Sequence, residues 1–320
     1  FRERFLIRYP YRMLNRFRGE IYLVLGALFF SFNGVISTLV LDHLSPFRLT
    51  QVRCIGAFTI LFLVVAARNF QSLKATKGEL PILILLGIVG FAAVQAGYFL
   101  GIQRGVPLSL VLIIEFTAPI WIVLWIKFVQ KKAVPNGMWG GIALSFIGLI
   151  FIAKVWDGLT FDLLGVIGSL ISAFALAVYF LVGAKVGEKR SAQSITVWGL
   201  GMAGLTWAIV MPVWKFPFDV FTMDMNLQGI FEGNFLPGWV LIAWVIVMGT
   251  IVPYLFVVGG LRRLSPSTSS VIGMLEPVLA GAFAWIWLAQ SWAPIQLGGA
   301  FIVLVGIYIA DRAKIAATSK

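Results

Sequence analysis

Uniformly apolar runs of about twenty residues recur along the chain, separated by short segments that carry Pro, Gly and charge. Each run is long enough to cross a ~30 Å hydrocarbon layer as a helix. Read against that punctuation, the pattern predicts spans near 20–41, 47–67, 79–101, 107–129 and 136–154. Five more are predicted near 161–184, 192–214, 236–260, 266–288 and 294–311. A membrane barrel needs alternating segments of ~10 residues, and these runs do not alternate. The expected fold is therefore an all-α integral membrane protein with ten transmembrane helices. The first run is too long for a signal peptide, and no small-residue cleavage site follows it.

Composition agrees with lipid as the solvent: of 320 residues 60% are hydrophobic and 12% charged, and mean hydropathy is +0.96. One cysteine, Cys54, lies inside an apolar run, and one histidine, His43, lies in a short loop. Those counts leave no Cys/His metal site, and the one candidate base for a Ser/His/Asp triad, His43, lies at a membrane surface, so neither a metal nor a catalytic residue is expected. No phosphate-binding Gly-x-x-x-x-Gly-Lys-Ser/Thr pattern occurs, and no cofactor is expected.

Net charge is +12, and its placement matters more than its size. In the ten-span scheme 20 of the 25 Lys and Arg fall on one side. They comprise six arginines between 2 and 18, then Arg68, Lys74, Lys77, Lys127, Lys131, Lys132, Lys185, Lys189, Arg190, Arg262, Arg263, Arg312, Lys314 and Lys320. The other side keeps Arg48, Arg104, Lys154 and Lys215 with most loop carboxylates, while Arg53 falls within a span. The positive-inside rule then puts both termini in the cytoplasm, and an odd span count would break the alternation. The basic character is assigned to orientation and anionic lipid, not to nucleic acid. Arginines interleaved with Phe5, Ile7, Tyr9, Tyr11, Leu14 and Phe17 suggest an amphipathic helix on the cytoplasmic leaflet.

Shifting the chain by 158 residues lays spans 4 and 5 on spans 9 and 10, with Ser109 on Ser267, Pro119 on Pro277, Gly141 on Gly299 and Gly148 on Gly306. A five-span unit copied once must invert, and inverted repeats support alternating access. The competing meaning is duplication of a packing unit with no functional content. Expected boundaries are a basic segment 1–19, a first repeat 20–154, a second repeat 161–311 and a tail 312–320. The small-xxx-small spacings Ser169/Ala173/Ala177 and Gly141/Ser145 fit close helix packing.

Two carboxylates remain deep in apolar spans, Glu115 in Ile114-Glu115-Phe116-Thr117-Ala118-Pro119 and Glu276 in Leu275-Glu276-Pro277. An ionisable group near the bilayer centre costs at least ~2.5 kcal/mol on insertion scales, so each needs a cavity, a partner or a proton. Either could bind a substrate ammonium or exchange a proton; the alternative is a protonated Glu bonding a neighbouring helix and carbonyls freed by the adjacent proline. Pro119, Pro253 and Pro277 each remove a backbone donor inside a span, marking kinks or hinges. Asn33, Gln95, Tyr98, Tyr179 and Tyr254 are further polar candidates for substrate binding or coupling, with interhelical bonding as the competing role. Arg53 needs a carboxylate, a watery route or a snorkelling position.

The ten spans, the five-plus-five repeat, the run Ile114-Glu115-Phe116-Thr117-Ala118-Pro119 and Leu275-Glu276-Pro277 followed by Gly298-Gly299 and Gly306 together resemble the drug/metabolite transporter superfamily in its EamA branch. The wording of span 4 looks most like the threonine and homoserine exporter group. Asn33 falls where family members often carry a Ser-Asn pair, with Phe32 intervening here after Ser31. The resemblance implies a bacterial inner-membrane carrier, usually an exporter of amino acids or related metabolites, with a central cavity lined by spans 1, 3, 4, 6, 8 and 9. Glu115, Pro119, Glu276 and Pro277 carry over as matched positions. The expected partners are a small-molecule substrate and membrane lipid; nothing in the sequence sets an oligomeric state. The alternatives are an importer on the same fold, an intramembrane lipid-metabolism enzyme, which would need a convergent Asp/His or metal cluster, or a membrane scaffold.

Overall fold

The computed structural model describes residues 17–104, 106, 108–154, 156, 162–289 and 293–318, so the arginines before residue 17 lie outside the described residues. Ten helices long and apolar enough to span a membrane follow in order: α1 (Arg18–Leu41), α2 (Pro46–Leu73), α3 (Leu80–Gln103), α4 (Val111–Val129) and α5 (Asn136–Ala153). After them come α6 (Leu163–Gly187), α7 (Ala192–Val210), α8 (Gly238–Leu261), α9 (Pro266–Leu288) and α10 (Pro294–Ala313). The ten-span expectation holds. Large apolar side chains turn outward, Leu163 and Ile209 at 73% exposure each, which suits lipid and no aqueous surface.

Helix ends follow local chemistry. Ser45 and Ser265 cap the first turns of α2 and α9 by accepting from the Arg48 and Thr268 backbone N–H, and each is followed by Pro at the first helical position. Asp162 and Ser191 cap α6 and α7 in the same way. Span 7 ends at Val210, short of the expected 214, because Met211 precedes Pro212 and takes extended backbone. The last helix instead continues past 311 to Thr318, through a segment free of Gly and Pro. Between α7 and α8 the chain forms short 3-10 turns and a two-stranded antiparallel ribbon, β1 (Asp224–Asn226) with β2 (Phe235–Pro237), which periodicity does not predict. The ribbon region is fixed over the helix ends by the Trp287 indole donating to Leu227 O at 2.9 Å and Gln228 Nε2 to Asp42 at 2.5 Å.

Helix neighbours repeat under exchange of the two halves. α1 packs on α8 and α9, as α6 packs on α3 and α4, while α2 pairs with α7 and α5 with α10. The α5–α10 seam shows the symmetry at atomic level. A Cβ on Gly148 would stand 2.6 Å from Gly299 O, and one on Gly299 2.7 Å from Gly148 O. Gly141 and Gly306 face each other in the same manner, at 2.6 and 2.7 Å. Gly141 meets Gly306 and Gly148 meets Gly299, so the helices run antiparallel about a pseudo-two-fold. Ser145 Oγ, donating to Val303 O at 3.4 Å across a separation of 158 residues, sits on that axis. The corresponding spans α3 and α8 each contain a π-helical stretch, Leu86–Ala93 and Val247–Ile251.

On the face bearing the described chain ends, buried Arg190 ties the α6–α7 connection to the α2–α3 loop. It donates to Ser194 Oγ at 2.6 Å, to Ser72 O at 3.4 Å, to Lys74 O, and through Nε to Glu79 at 3.4 Å. The Thr76 backbone N–H, the Arg190 guanidinium and the Thr76 hydroxyl hold the Glu79 carboxyl at about 2, below the ordinary ~4.3.

Two predictions follow from this packing. Gly148→Ala drives a methyl into backbone and should destabilise by roughly 1–3 kcal/mol, whereas Gly140→Ala, with nothing within 4 Å, should be neutral or slightly stabilising. Thermal unfolding in detergent distinguishes the two. Because the folded Glu79 value lies below the unfolded one, its contribution is present above about pH 4.3 and lost as pH falls toward 2. Glu79→Gln should therefore lower the melting temperature at pH 6 and flatten its dependence on pH across that window.

Candidate functional site

Spans 4 and 9 are both interrupted near mid-membrane, at Phe116–Thr117 in α4 and at Met274 in α9. Pro119 and Pro277 each lie in the first turn of the helical segment that resumes, where a missing N–H is tolerated. The Thr117 hydroxyl donates to Ile114 O at 2.7 Å, satisfying one carbonyl at the break. Glu115 closes the segment before the α4 break, and Glu276 opens the one after the α9 break.

Glu115 is buried at 9% exposure, with Oε1 3.2 Å from Ser172 Oγ of α6. The same hydroxyl lies 2.8 Å from Val94 O of α3, so one serine links three spans. Glu276 is half-buried. Its backbone carbonyl accepts from Ser31 Oγ of α1 at 2.9 Å, while its carboxylate takes no hydrogen bond from a described residue. The two carboxylates and Arg53 lie within electrostatic reach of Tyr98 and Tyr254.

α8 is not interrupted but carries its irregularity as the π-helical turn before Pro253. Pro253 supplies no N–H, and the carbonyl four residues back, Gly249 O, receives Arg53 Nη2 of α2 at 3.2 Å. Arg53 Nε donates to Thr250 Oγ1 at 3.1 Å, and Thr250 donates to Val245 O at 2.8 Å within the π-helical turn. Arg53 thus bonds the π-helical turn of α8 and, among the described residues, meets no carboxylate. Asn33 of α1 abuts the same turn, its Oδ1 1.9 Å from where a Gly249 Cβ would stand, and that oxygen is buried with no hydrogen-bond partner among the described residues.

Tyr179 and Tyr254 come together in an aromatic layer. Phe91 stacks on Tyr254 at 4.6 Å, Tyr179 meets Phe91 edge-on at 5.2 Å, and Phe30 meets Tyr254 edge-on at 5.1 Å. Tyr254 lies seven residues before the end of α8 and Tyr179 eight before the end of α6, on the half nearer the described chain ends. Arg53, seven residues into α2, lies in the opposite half. Gln95 turns away to α2, donating to Phe91 O at 2.9 Å and to Cys54 Sγ at 3.5 Å. Glu115, Glu276, Tyr98 and Tyr254 thus share one electrostatic neighbourhood, Asn33 joins it through Gly249, and Gln95 serves the α2–α3 contact. Ser172, Phe91 and Gly249 were not picked out from sequence. A hydroxyl on the Ser169/Ala173 face was the available signal for Ser172. Among the described residues no three His, Cys, Asp or Glu side chains converge as metal ligands.

A ten-helix bundle with interrupted spans meeting at a charged mid-membrane centre defines the membrane-transporter class. The EamA-like transporter family model matches residues 17–154 and 163–310, and the chain belongs to that family. It is 22% identical over 270 residues to the uncharacterized transporter YdfC of Bacillus subtilis, covering 83% of this chain and 80% of that one. It is 25% identical over 242 residues to the threonine/homoserine exporter RhtA of Escherichia coli, covering 75% and 74%. A solved crystal structure superposes with a TM-score of 0.72 at 14% identity, covering 92% of this chain and 96% of that one, a likeness of fold. The sequence resemblance to the EamA branch is confirmed, and the protein is a multi-pass membrane transporter.

Proposed function

We propose that the protein is a secondary carrier that exports an amino acid or similar small metabolite by alternating access, in a bacterial cytoplasmic membrane with both termini in the cytoplasm. The observation that carries this reading is the placement of Glu115 and Glu276 at the interruptions of repeat-related α4 and α9, in one electrostatic neighbourhood. Halves that pack alike allow the centre to open to either side by similar motions. The Lys and Arg bias supports the orientation. In that orientation the Phe91–Tyr179–Tyr254 layer lies on the cytoplasmic side of Arg53, and a bundle closed at that layer faces outward. Similarity to RhtA favours an amino acid as cargo and export as direction.

Hydrogen counting supports proton exchange at Glu115. Ser172 Oγ has a single hydrogen and two neighbours, Val94 O and Glu115 Oε1. With Glu115 ionised, the hydroxyl gives that hydrogen to the carboxylate and Val94 O goes without. With Glu115 protonated, the carboxyl donates to Ser172 and Ser172 donates to Val94. Each protonation state thus has its own set of bonds between α3, α4 and α6, which couples a proton to helix contacts. Pro119, Pro253 and Pro277 serve as the points where α4, α8 and α9 flex.

Glu276→Gln should leave the protein folded and inserted while abolishing flux or its dependence on pH. Counterflow of radiolabelled amino acids into proteoliposomes at two internal pH values checks this. Wild-type flux and wild-type pH response in the purified variant would contradict the role given to Glu276.

A further inference from the structure

Arg53 brings a full positive charge to a place where one hydrogen bond would suffice. Capping Gly249 O requires a donor and not a cation, and a guanidinium inside the hydrocarbon is costly to place. Among the described residues its charge has no counter-ion in contact, and Glu276 is brought toward it through α1: Ser31 Oγ donates to the Glu276 carbonyl at 2.9 Å, and Asn33, two residues further on, abuts the Gly249 turn that Arg53 bonds. Two of its nitrogens are used, Nε on Thr250 and Nη2 on Gly249 O, while Nη1 makes no hydrogen bond to a described residue and the side chain is half-buried. The bonds to α8 hold the guanidinium plane in place and leave one edge free. Glu276 shows the complementary condition, a half-buried carboxylate with no described donor, its backbone anchored by Ser31. A fixed cation and a fixed anion, near each other and unpaired, match a molecule that carries both charges.

We propose that Arg53 and Glu276 form a zwitterion site, Arg53 Nη1 taking the carboxylate of an α-amino acid and Glu276 its ammonium. The inference deepens the reading of the protein as an amino-acid carrier and rests on it. It assigns Arg53 to specificity: a cargo without a carboxylate leaves a half-buried cation unmatched, and a cargo without an ammonium does the same to Glu276. Asn33, against the same turn of α8, sets the shape of the pocket beside the carboxylate.

The test is counterflow by purified protein in proteoliposomes with three matched probes: L-threonine, its amino alcohol threoninol, and 2,3-dihydroxybutyrate, which lacks the amine. A wider panel of the other common amino acids, each beside its decarboxylated amine, covers cargo of another shape. For at least one amino acid, the wild type should prefer the zwitterion over both single-charge analogues by about tenfold or more. Arg53→Gln should reduce the preference over the amine to near unity, with Arg53→Lys retaining part of it. Equal wild-type transport of amino acid and amine overturns the zwitterion site and leaves the carrier standing, and needs no variant to fold. Retained discrimination in a folded Arg53→Gln protein makes the arginine a helix cap alone and overturns its assignment. If the folded wild type moves no probe of any class, while unrelated sugars or nucleosides do exchange, the amino-acid reading falls, and the zwitterion site with it.

Discussion

Hydrocarbon offers no partner to a backbone carbonyl or a charge, and the centre of this protein is organised by that constraint. Two spans are interrupted and a third, α8, carries a π-helical turn beside a proline, and each irregularity leaves polar backbone that must be answered from within the bundle. At α4 the answer is local, through the Thr117 hydroxyl. At α8 it comes from a neighbouring helix, Arg53 bonding the carbonyl that Pro253 leaves without its usual N–H. At α9 Ser31 bonds the Glu276 carbonyl from α1. The same contacts that repair the helices therefore place an arginine and two glutamates in one neighbourhood. At α9 the bond is to the Glu276 backbone, which leaves the carboxylate itself out of the repair.

Close backbone approach makes this centre a product of both halves. The glycines of α5 and α10 let the helices meet carbonyl against Cα, which a single methyl would prevent. That seam holds the two halves about a common axis, while the aromatic layer and Arg53 lie in opposite halves of the bundle's length. Arg190 and Glu79 fasten the loops on the chain-end face, away from the seam. An interior with a closely packed seam to one side and two interrupted spans and a π-helical turn at its centre has its irregular backbone beside the buried charges.

The ten spans were legible because lipid selects long apolar runs, and most ends because Ser-Pro and X-Pro pairs act over two or three residues. The glycine seam was legible as repeat matches, since Gly141 and Gly148 recur at one offset. The two glutamates stood out because a charge in an apolar run is conspicuous without any neighbour. What was not legible depends on partners distant in sequence. Whether Arg53 snorkels or caps a helix is decided by α8, nearly two hundred residues away. Ser172 offers only a hydroxyl beside the Ser169/Ala173 face, and its partners on α3 and α4 are distant in sequence. Gln95 looked like its neighbour Tyr98, but its amide bonds Cys54 and Phe91. The ribbon before α8 and the π-helical turns arise from docking and from register, which hydrophobic periodicity does not record.

The central claim is that one mid-membrane centre is reached alternately from the two faces. It is tested most directly by placing a single thiol there, Glu276→Cys in a Cys54→Ala background, and labelling with a charged, membrane-impermeant thiol reagent. Labelling is done from each side of oriented vesicles, and it requires access and not transport. The account predicts reaction from both faces. Reaction from one face alone, or from neither, in a correctly inserted protein would contradict it.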